Sequence, residues 1–334
     1  MAGSAGNHHV NSGLVILGLV VVLLGLAADR AQAQLQFGFY KGKCNATDVE
    51  STVRSVVWGK YQKDTTIVAA LLRMQFHDCF VQGCDASILL DGPGSEKNAP
   101  PNLSVRGYDV IDAVKTALEA ACKQVVSCAD IIAMATRDAV SFANGGFYNV
   151  QTGRRDSASP AKNVALPAPN IPINQALSLF ARKNLSPVDM VYLLGGHTVG
   201  VTHCAFYQSR LYNYQNTGRP DPAMNTTLVN TLKKTCPDPR TNGPTTAPAN
   251  LDQNPASALV VDNSYHKQLL RGNGVLQVDQ DLASRNFVTG LIVSNIAART
   301  DFNARFGQAM VNMGAVEVLT GKQGQIRKSC RAAN

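Results

Sequence analysis

The chain has 334 residues, and its 31 lysines and arginines against 23 aspartates and glutamates give a formal net charge of +8 at neutral pH. The basic residues are dispersed, without a dense basic run or basic–aromatic interleaving, which argues against nucleic-acid binding and for a basic soluble surface suited to weak adhesion to acidic polymers. An even set of 8 cysteines behind an apolar leader points away from a reducing compartment.

That leader is an apolar run from Leu14 to Ala28, followed by Asp29, Arg30 and Ala31-Gln32-Ala33. The layout predicts a signal peptide over 1–33, cleaved before Gln34. The run is about 15 residues, short of the roughly 20 that a bilayer span needs, although the segment before it carries His8 and His9 and no lysine or arginine, so an anchor is the alternative reading. A mature chain of about 300 residues fits two lobes or one large domain, and no other run is long enough to cross a membrane.

Apolar residues recurring at three and four predict helices over 48–61, 65–80, 108–120, 127–143, 174–184, 186–194 and 304–318. Strand-like alternation is clearest around 147–152. The chain reads as mainly α. Connectors rich in Gly, Pro and Asn run over 91–106, 153–172 and 213–257; one as long as the last is usually functional or tied down, and Cys204 with Cys236 flank much of it. Eight cysteines allow 105 pairings, so spacing alone selects none.

On the second helix Arg73 and His77 stand four apart, so both project from one face and reach the same small ligand, beside an apolar stripe of Leu72 and Phe76. Alone, such a pair is commonly a surface pair. The residues that follow, Asp78-Cys79-Phe80-Val81-Gln82-Gly83-Cys84-Asp85-Ala86-Ser87, crowd oxygen donors between two cysteines; they suit calcium, or else are ordinary helix-end and turn residues. His197, in Gly195-Gly196-His197-Thr198-Val199-Gly200, has neighbours small enough to admit a flat cofactor, and its second ring nitrogen would need an acceptor. The mature chain offers only His77, His197, His203 and His266 as imidazole ligands.

The stretch Arg73-Met74-Gln75-Phe76-His77-Asp78-Cys79-Phe80-Val81-Gln82-Gly83-Cys84-Asp85-Ala86-Ser87-Ile88-Leu89-Leu90 resembles the distal haem signature of the class III secretory plant peroxidases, haem peroxidases of the plant, fungal and bacterial superfamily. The segment Gly195–Gly200 resembles their proximal signature. The resemblance extends over essentially the whole mature chain, through Ser127-Cys128-Ala129-Asp130-Ile131, Gly153-Arg154-Arg155-Asp156, Leu166-Pro167-Ala168-Pro169, Gly274-Val275-Leu276-Gln277-Val278-Asp279-Gln280 and Gly321-Lys322-Gln323-Gly324-Gln325-Ile326-Arg327.

The resemblance implies a two-lobed helical fold, with a distal lobe over 34–170, a proximal lobe over 171–334 and haem b (protohaem IX) between them. His197 would be the axial iron ligand and Asp279 its hydrogen-bond partner. His77 would accept the peroxide proton with Asn102 supporting it, Arg73 would stabilise the transition state, and Pro167 would lie at the donor entrance. Two calcium ions are implied: a distal one at Asp78, Val81, Gly83, Asp85 and Ser87, with Glu96 linking it to the Asn102 region, and a proximal one at Thr198, Asp252, Ser257, Val260 and Asp262. The implied disulfides are Cys44–Cys122, Cys79–Cys84, Cys128–Cys330 and Cys204–Cys236. The activity implied is reduction of hydrogen peroxide to water with one-electron oxidation of phenolic donors, as in lignin and suberin formation, wall cross-linking and the oxidative stress response. A monomeric glycoprotein of the cell wall or extracellular fluid is expected, in the absence of a long tail after Cys330. The alternatives are a non-catalytic secreted haem- and calcium-binding protein, and a disulfide-stapled wall protein with no haem.

Several positions depart from the family pattern. Asp252 and Asp262 are about two residues further apart, so counting back selects Ser257 and counting forward selects Pro255; Ser257, which has a side-chain oxygen, is preferred. Asn149 stands at a usual tryptophan, Phe147 at a usual proline and Val278 at a usual serine, and the connector 156–166 is about three residues short. Sequons occur at Asn45, Asn102, Asn184 and Asn225; Asn102 is excluded if it supports His77, and Asn225 is expected to be the most accessible.

Overall fold

The computed structural model describes residues 35–241, 243 and 245–334. The proposed signal segment and its cleavage point lie outside them. Among the described residues no helix is long and apolar enough to cross a membrane.

The first helix, α1 (Val49–Tyr61), starts where the Asp48 carboxylate accepts hydrogen bonds from the amides of Glu50 and Ser51, satisfying two of the donors a helix start leaves free. Its buried Val49, Val53 and Val57 recur at four and pack towards the later α4. Next comes α2 (Ile67–Val81), buried on most sides and carrying Arg73 and His77. The amphipathic α3 (Tyr108–Ala121) precedes α4 (Cys128–Phe142), whose start is capped by Ser127 accepting from the Asp130 amide at 3.1 Å. Almost wholly buried, α4 is the hub against which α1, α2 and α3 pack.

The second half opens with α5 (Ile173–Arg182) and α6 (Pro187–Leu194). Pro187 and a reciprocal Ser186–Asp189 capping box start α6, and a 3-10 turn over Gly195–Thr198 ends it and presents His197. Then follow α7 (Gln208–Tyr212), α8 (Thr226–Leu232), α9 (Ser264–Leu270), α10 (Gln277–Ser284), α11 (Phe287–Ala298) and α12 (Phe302–Gly314). The helix expected over 304–318 thus starts and stops earlier. Arg154 Nε donates to the Gly314 carbonyl at 2.8 Å, and its guanidinium fills the space over Gly314.

Strand structure is minor. β1 (Gln36–Phe37) pairs antiparallel with β2 (Gln151–Thr152), the only part of the expected 147–152 strand that forms a ladder. β3 (Val201–His203) pairs with β4 (Pro248–Asn250), Thr202 facing Ala249. This second ladder and a Cys204–Cys236 disulfide tie down the proline-rich connector, which also folds α8 around Leu228, Val229 and Leu232.

The main core draws on α1–α6 and α9–α12, and a smaller one, which takes in α7 and α8, surrounds Cys204–Cys236. All 8 cysteines pair as the resemblance implied: Cys44–Cys122, Cys79–Cys84, Cys128–Cys330 and Cys204–Cys236. Phe147, at the usual proline, is exposed and lies under the guanidinium groups of Arg54 and Arg137, while Asn149 is simply exposed.

Candidate active site

Helix α2 places Arg73 and His77 one turn apart, and the segment 96–104 closes over them. The Asn102 side-chain NH2 donates to the Glu96 carbonyl at 2.9 Å, which leaves its Oδ1 as an acceptor 2.6 Å from His77 Nδ1. The proton of a neutral His77 therefore sits on Nδ1, and Nε2 carries the lone pair that can accept a proton. Arg73 Nε donates to that Nε2 at 3.1 Å; its terminal nitrogens donate to Ser104 Oγ at 2.9 Å and the Pro101 carbonyl at 2.8 Å. The guanidinium is solvent-accessible yet enclosed enough that desolvation lowers its pKa.

Burial, then the charge of Arg73, pushes the His77 pKa down to about 4, against the opposing effect of its hydrogen bond to Asn102. A reaction that needs neutral His77 should be independent of this group above that value and fall about tenfold per pH unit below it. The check is the pH dependence of the second-order rate constant with hydrogen peroxide; an inflection near 6.5 would mean that burial and Arg73 do not act on His77 as described.

Directly after this pair, α2 ends in a pocket of buried oxygens. Asp78 Oδ1, Ser87 Oγ and Glu96 Oε2 are buried without a hydrogen-bond partner, and Asp85 lies beside them. Burial and the neighbouring carboxylates push the Asp78 pKa well up, and burial raises those of Asp85 and Glu96. Gly83 is required in the loop: its φ is +101°, and a Cβ would come within 2.2 Å of the Glu317 carbonyl. Unpaired buried oxygens of this kind fit a hard cation with oxygen ligands. Among the described residues no three His, Cys, Asp or Glu side chains form a metal cage, so such a site would rest on two carboxylates, a hydroxyl and carbonyls. The Val81 carbonyl already has a long contact from Lys183 Nζ, at 3.4 Å.

Across from α2, the Gly195–Thr198 turn packs against that helix and presents His197, its side chain 31% exposed, with Nδ1 2.9 Å from the fully buried Asp279 Oδ1. Burial opposes charge on this imidazole, but the Asp279 charge and hydrogen bond outweigh it and raise the pKa; Arg73 is close enough to act in the opposite sense. Nε2 takes no hydrogen bond among the described residues, and a Cβ on Gly196 would meet nothing within 4 Å. A half-buried imidazole with one nitrogen unpartnered and the other held by a buried carboxylate, next to a glycine that leaves room, fits a ligand to a flat metal cofactor.

Asp279 is held by its own frame. It lies in the first turn of α10, where a carboxylate is favoured by the helix dipole, and Arg210 donates to the carbonyls of Gly274, Val275 and Leu276 just before it. The Val278 amide donates to the Pro169 carbonyl at 3.0 Å, which docks the half-buried Pro167 segment on the start of α10.

The second expected cation set also converges. Thr198 Oγ1 lies 3.1 Å from the Val260 carbonyl and 3.3 Å from Asp262 Oδ1, and Ser257 Oγ donates to the buried Asp252 at 2.7 Å. Ser264, absent from the expected set, lies 3.3 Å from Asp252 Oδ1.

The expectation for Asn225 is corrected: it is half-buried, caps α8 through the Thr227 amide and donates to the Arg271 carbonyl. Asn184 and Asn45 are exposed, and Asn102 is buried. Sequence reasoning also missed Ser104, and missed Arg327, which donates to the Asp85 and Ala86 carbonyls from a buried position. Ser104 is legible only as the third residue of the Asn102 sequon, and Arg327 only as the last residue of the 321–327 family motif, which assigns it no contact.

With the geometry in place, the chain can be compared with known proteins. A family model described as Peroxidase matches residues 53–299. The chain is 48% identical over 323 residues to Peroxidase 60 of Arabidopsis thaliana, covering 96% of this chain and 95% of that one. It is 48% identical over 305 residues to Peroxidase 57 (91% and 94%) and 45% identical over 312 residues to Peroxidase 44 (92% and 95%), both from the same plant.

Proposed function

Because the chain belongs to the peroxidase family, with the plant class III peroxidases, and is itself a peroxidase, we propose that it is a secreted haem enzyme in which Arg73 and His77 cleave hydrogen peroxide opposite an iron held by His197. The observation that carries this reading is the hydrogen-bond chain Glu96 carbonyl–Asn102–His77, which leaves a neutral imidazole with its Nε2 lone pair beside a guanidinium.

Haem held by His197 would supply the redox chemistry that couples peroxide reduction to one-electron oxidation of a phenolic donor. His77 Nε2 takes the proton from the inner peroxide oxygen and returns it to the outer one, so that water leaves; one imidazole serves as base and then acid. Arg73, fixed by Ser104 and Pro101, supplies fork-like donors and charge where negative charge grows on the departing oxygen. Asp279 takes the His197 Nδ1 proton partway and raises the basicity of the ligand. Donors would approach near Pro167, within a distal and proximal pair of lobes divided near residue 170. Four disulfides and the apolar leader support export to the wall or extracellular fluid, and the dispersed positive charge supports weak adhesion to acidic polymers there.

The visible spectrum of the purified protein tests the reading. A haem band should change on addition of peroxide and return after a phenol is added. Protein purified without a haem band, from cells supplied with haem, would overturn it. A haem band indifferent to peroxide would favour a non-catalytic haem-binding protein, a role for which His77, Asn102 and Arg73 have no use.

Calcium is the second part of the proposal, with Asp78, Val81, Gly83, Asp85 and Ser87 around one ion, Glu96 linking it to the Asn102 region, and Thr198, Asp252, Ser257, Val260 and Asp262 around the other. Removal with a chelator should lower the unfolding temperature and re-addition should restore it, since a ligand present at a hundred times its Kd stabilises by about 2.7 kcal/mol. Thermal unfolding with and without calcium is the measurement, and identical curves would remove both ions from the account.

A further inference from the structure

Asp279 has two carboxylate oxygens, and His197 uses one. The other, Oδ2, is fully buried and has no hydrogen-bond partner of standard geometry; the same holds for the hydroxyl of Tyr265, on α9. Tyr265 and Asp279 both lie against the His197 imidazole, and the charge of the nearby Asp279 carboxylate adds to burial in pushing the Tyr265 hydroxyl pKa well up. The Tyr265 ring also stands edge-on to the His197 ring, with centroids 6.0 Å apart and planes at 88°. His266 cannot take the place of Tyr265: its Nε2 faces the Val191 carbonyl at 3.2 Å and carries the ring proton, so its Nδ1 is an acceptor.

We propose that Tyr265 is a positioning residue for the iron ligand: its hydroxyl donates to Asp279 Oδ2 and so fixes the carboxylate with Oδ1 aimed at His197 Nδ1. A buried hydroxyl and a buried carboxylate oxygen each cost free energy when left unpaired, and here each offers the other its remedy. The bond has a second consequence. A donor on Oδ2 withdraws negative charge from Asp279 and limits how far the carboxylate draws the His197 proton. Tyr265 thereby tempers the electron donation of the imidazole to a bound metal.

The inference rests on His197 being the axial ligand, and its test separates the two. Tyr265→Phe keeps the ring and removes only the hydroxyl. In haem-loaded protein it should lower the ferric/ferrous midpoint potential by a threefold to tenfold change in the one-electron equilibrium, about 59 mV at the upper end, and raise the ferrous iron–histidine stretching frequency. In an Asp279→Asn background the same change should have no further effect. An unchanged potential and frequency, or an equal shift without Asp279, overturns the proposal. Should the Phe variant not fold, 3-fluorotyrosine at 265, a stronger donor in the same shape, should shift the potential upward, and no shift there overturns it as well. If His197→Ala leaves the iron–histidine signature intact, the ligand assignment itself fails and the inference falls with it.

Discussion

Replacing His77 with alanine is expected to slow the reaction with hydrogen peroxide by about 100- to 10,000-fold while leaving haem bound. The size follows from the double duty of one nitrogen: without Nε2 neither proton removal from the inner oxygen nor delivery to the outer one has a carrier. Haem content should not change, because the proposed iron ligand lies on a different element, the Gly195–Thr198 turn, held by Asp279. Arg73 loses one acceptor but keeps Ser104 and the Pro101 carbonyl, so its charge stays in place and a residual rate above background remains. Stopped-flow measurement against peroxide concentration gives the rate constant, and the haem absorbance ratio gives occupancy. Loss of haem in the variant would make His77 a structural residue instead.

The second large effect concerns stability. Converting Cys128 and Cys330 to serine opens a loop of 202 residues, for which the chain-entropy treatment gives a loss of about 5 kcal/mol. For a chain of this size that corresponds to a fall on the order of 10 °C in unfolding temperature. The same cut frees the segment that carries Arg327, whose guanidinium donates to the Asp85 and Ala86 carbonyls and to the Cys330 carbonyl. Calcium affinity should therefore fall together with stability, the loop of Asp78, Asp85 and Ser87 having lost its backing. Urea unfolding and calcium titration of the double variant measure both. A variant as stable as the parent would show that non-covalent contacts alone pin this segment.

Legibility in the sequence followed the strength of local signals. The first four helices were readable because apolar residues recur at three and four and because Asp48 and Ser127 cap starts that lie next to them. The segment Phe287–Ala298 was not, since it is apolar on nearly every side and shows no stripe to count. The short helices Gln208–Tyr212, Thr226–Leu232 and Gln277–Ser284 complete too few turns to establish a period, whereas the equally short Pro187–Leu194 was readable. In the site, the Arg73–His77 pair was visible from its spacing of four. Asn102 and Asp279 were reached only through the resemblance, since His197 and Asp279 are 82 positions apart and no local pattern joins them. Tyr265 lay beyond both routes, because its role depends on which oxygen of a buried carboxylate remains unpaired.

The disulfides enclose one another without crossing: Cys79–Cys84 lies inside Cys44–Cys122, and Cys204–Cys236 inside Cys128–Cys330. A chain delivered from its N-terminus into an oxidising compartment can thus complete the first nest before any cysteine of the second is needed. Cys128 then waits for its partner while 202 further residues are made, about 10 to 40 s at ordinary rates of synthesis. During that interval Cys204 and Cys236 emerge within reach of its free thiol. If the chain is exported as proposed, its biogenesis is most exposed to mispairing at Cys128, and its yield should depend on the supply of a disulfide isomerase more than on the supply of oxidant.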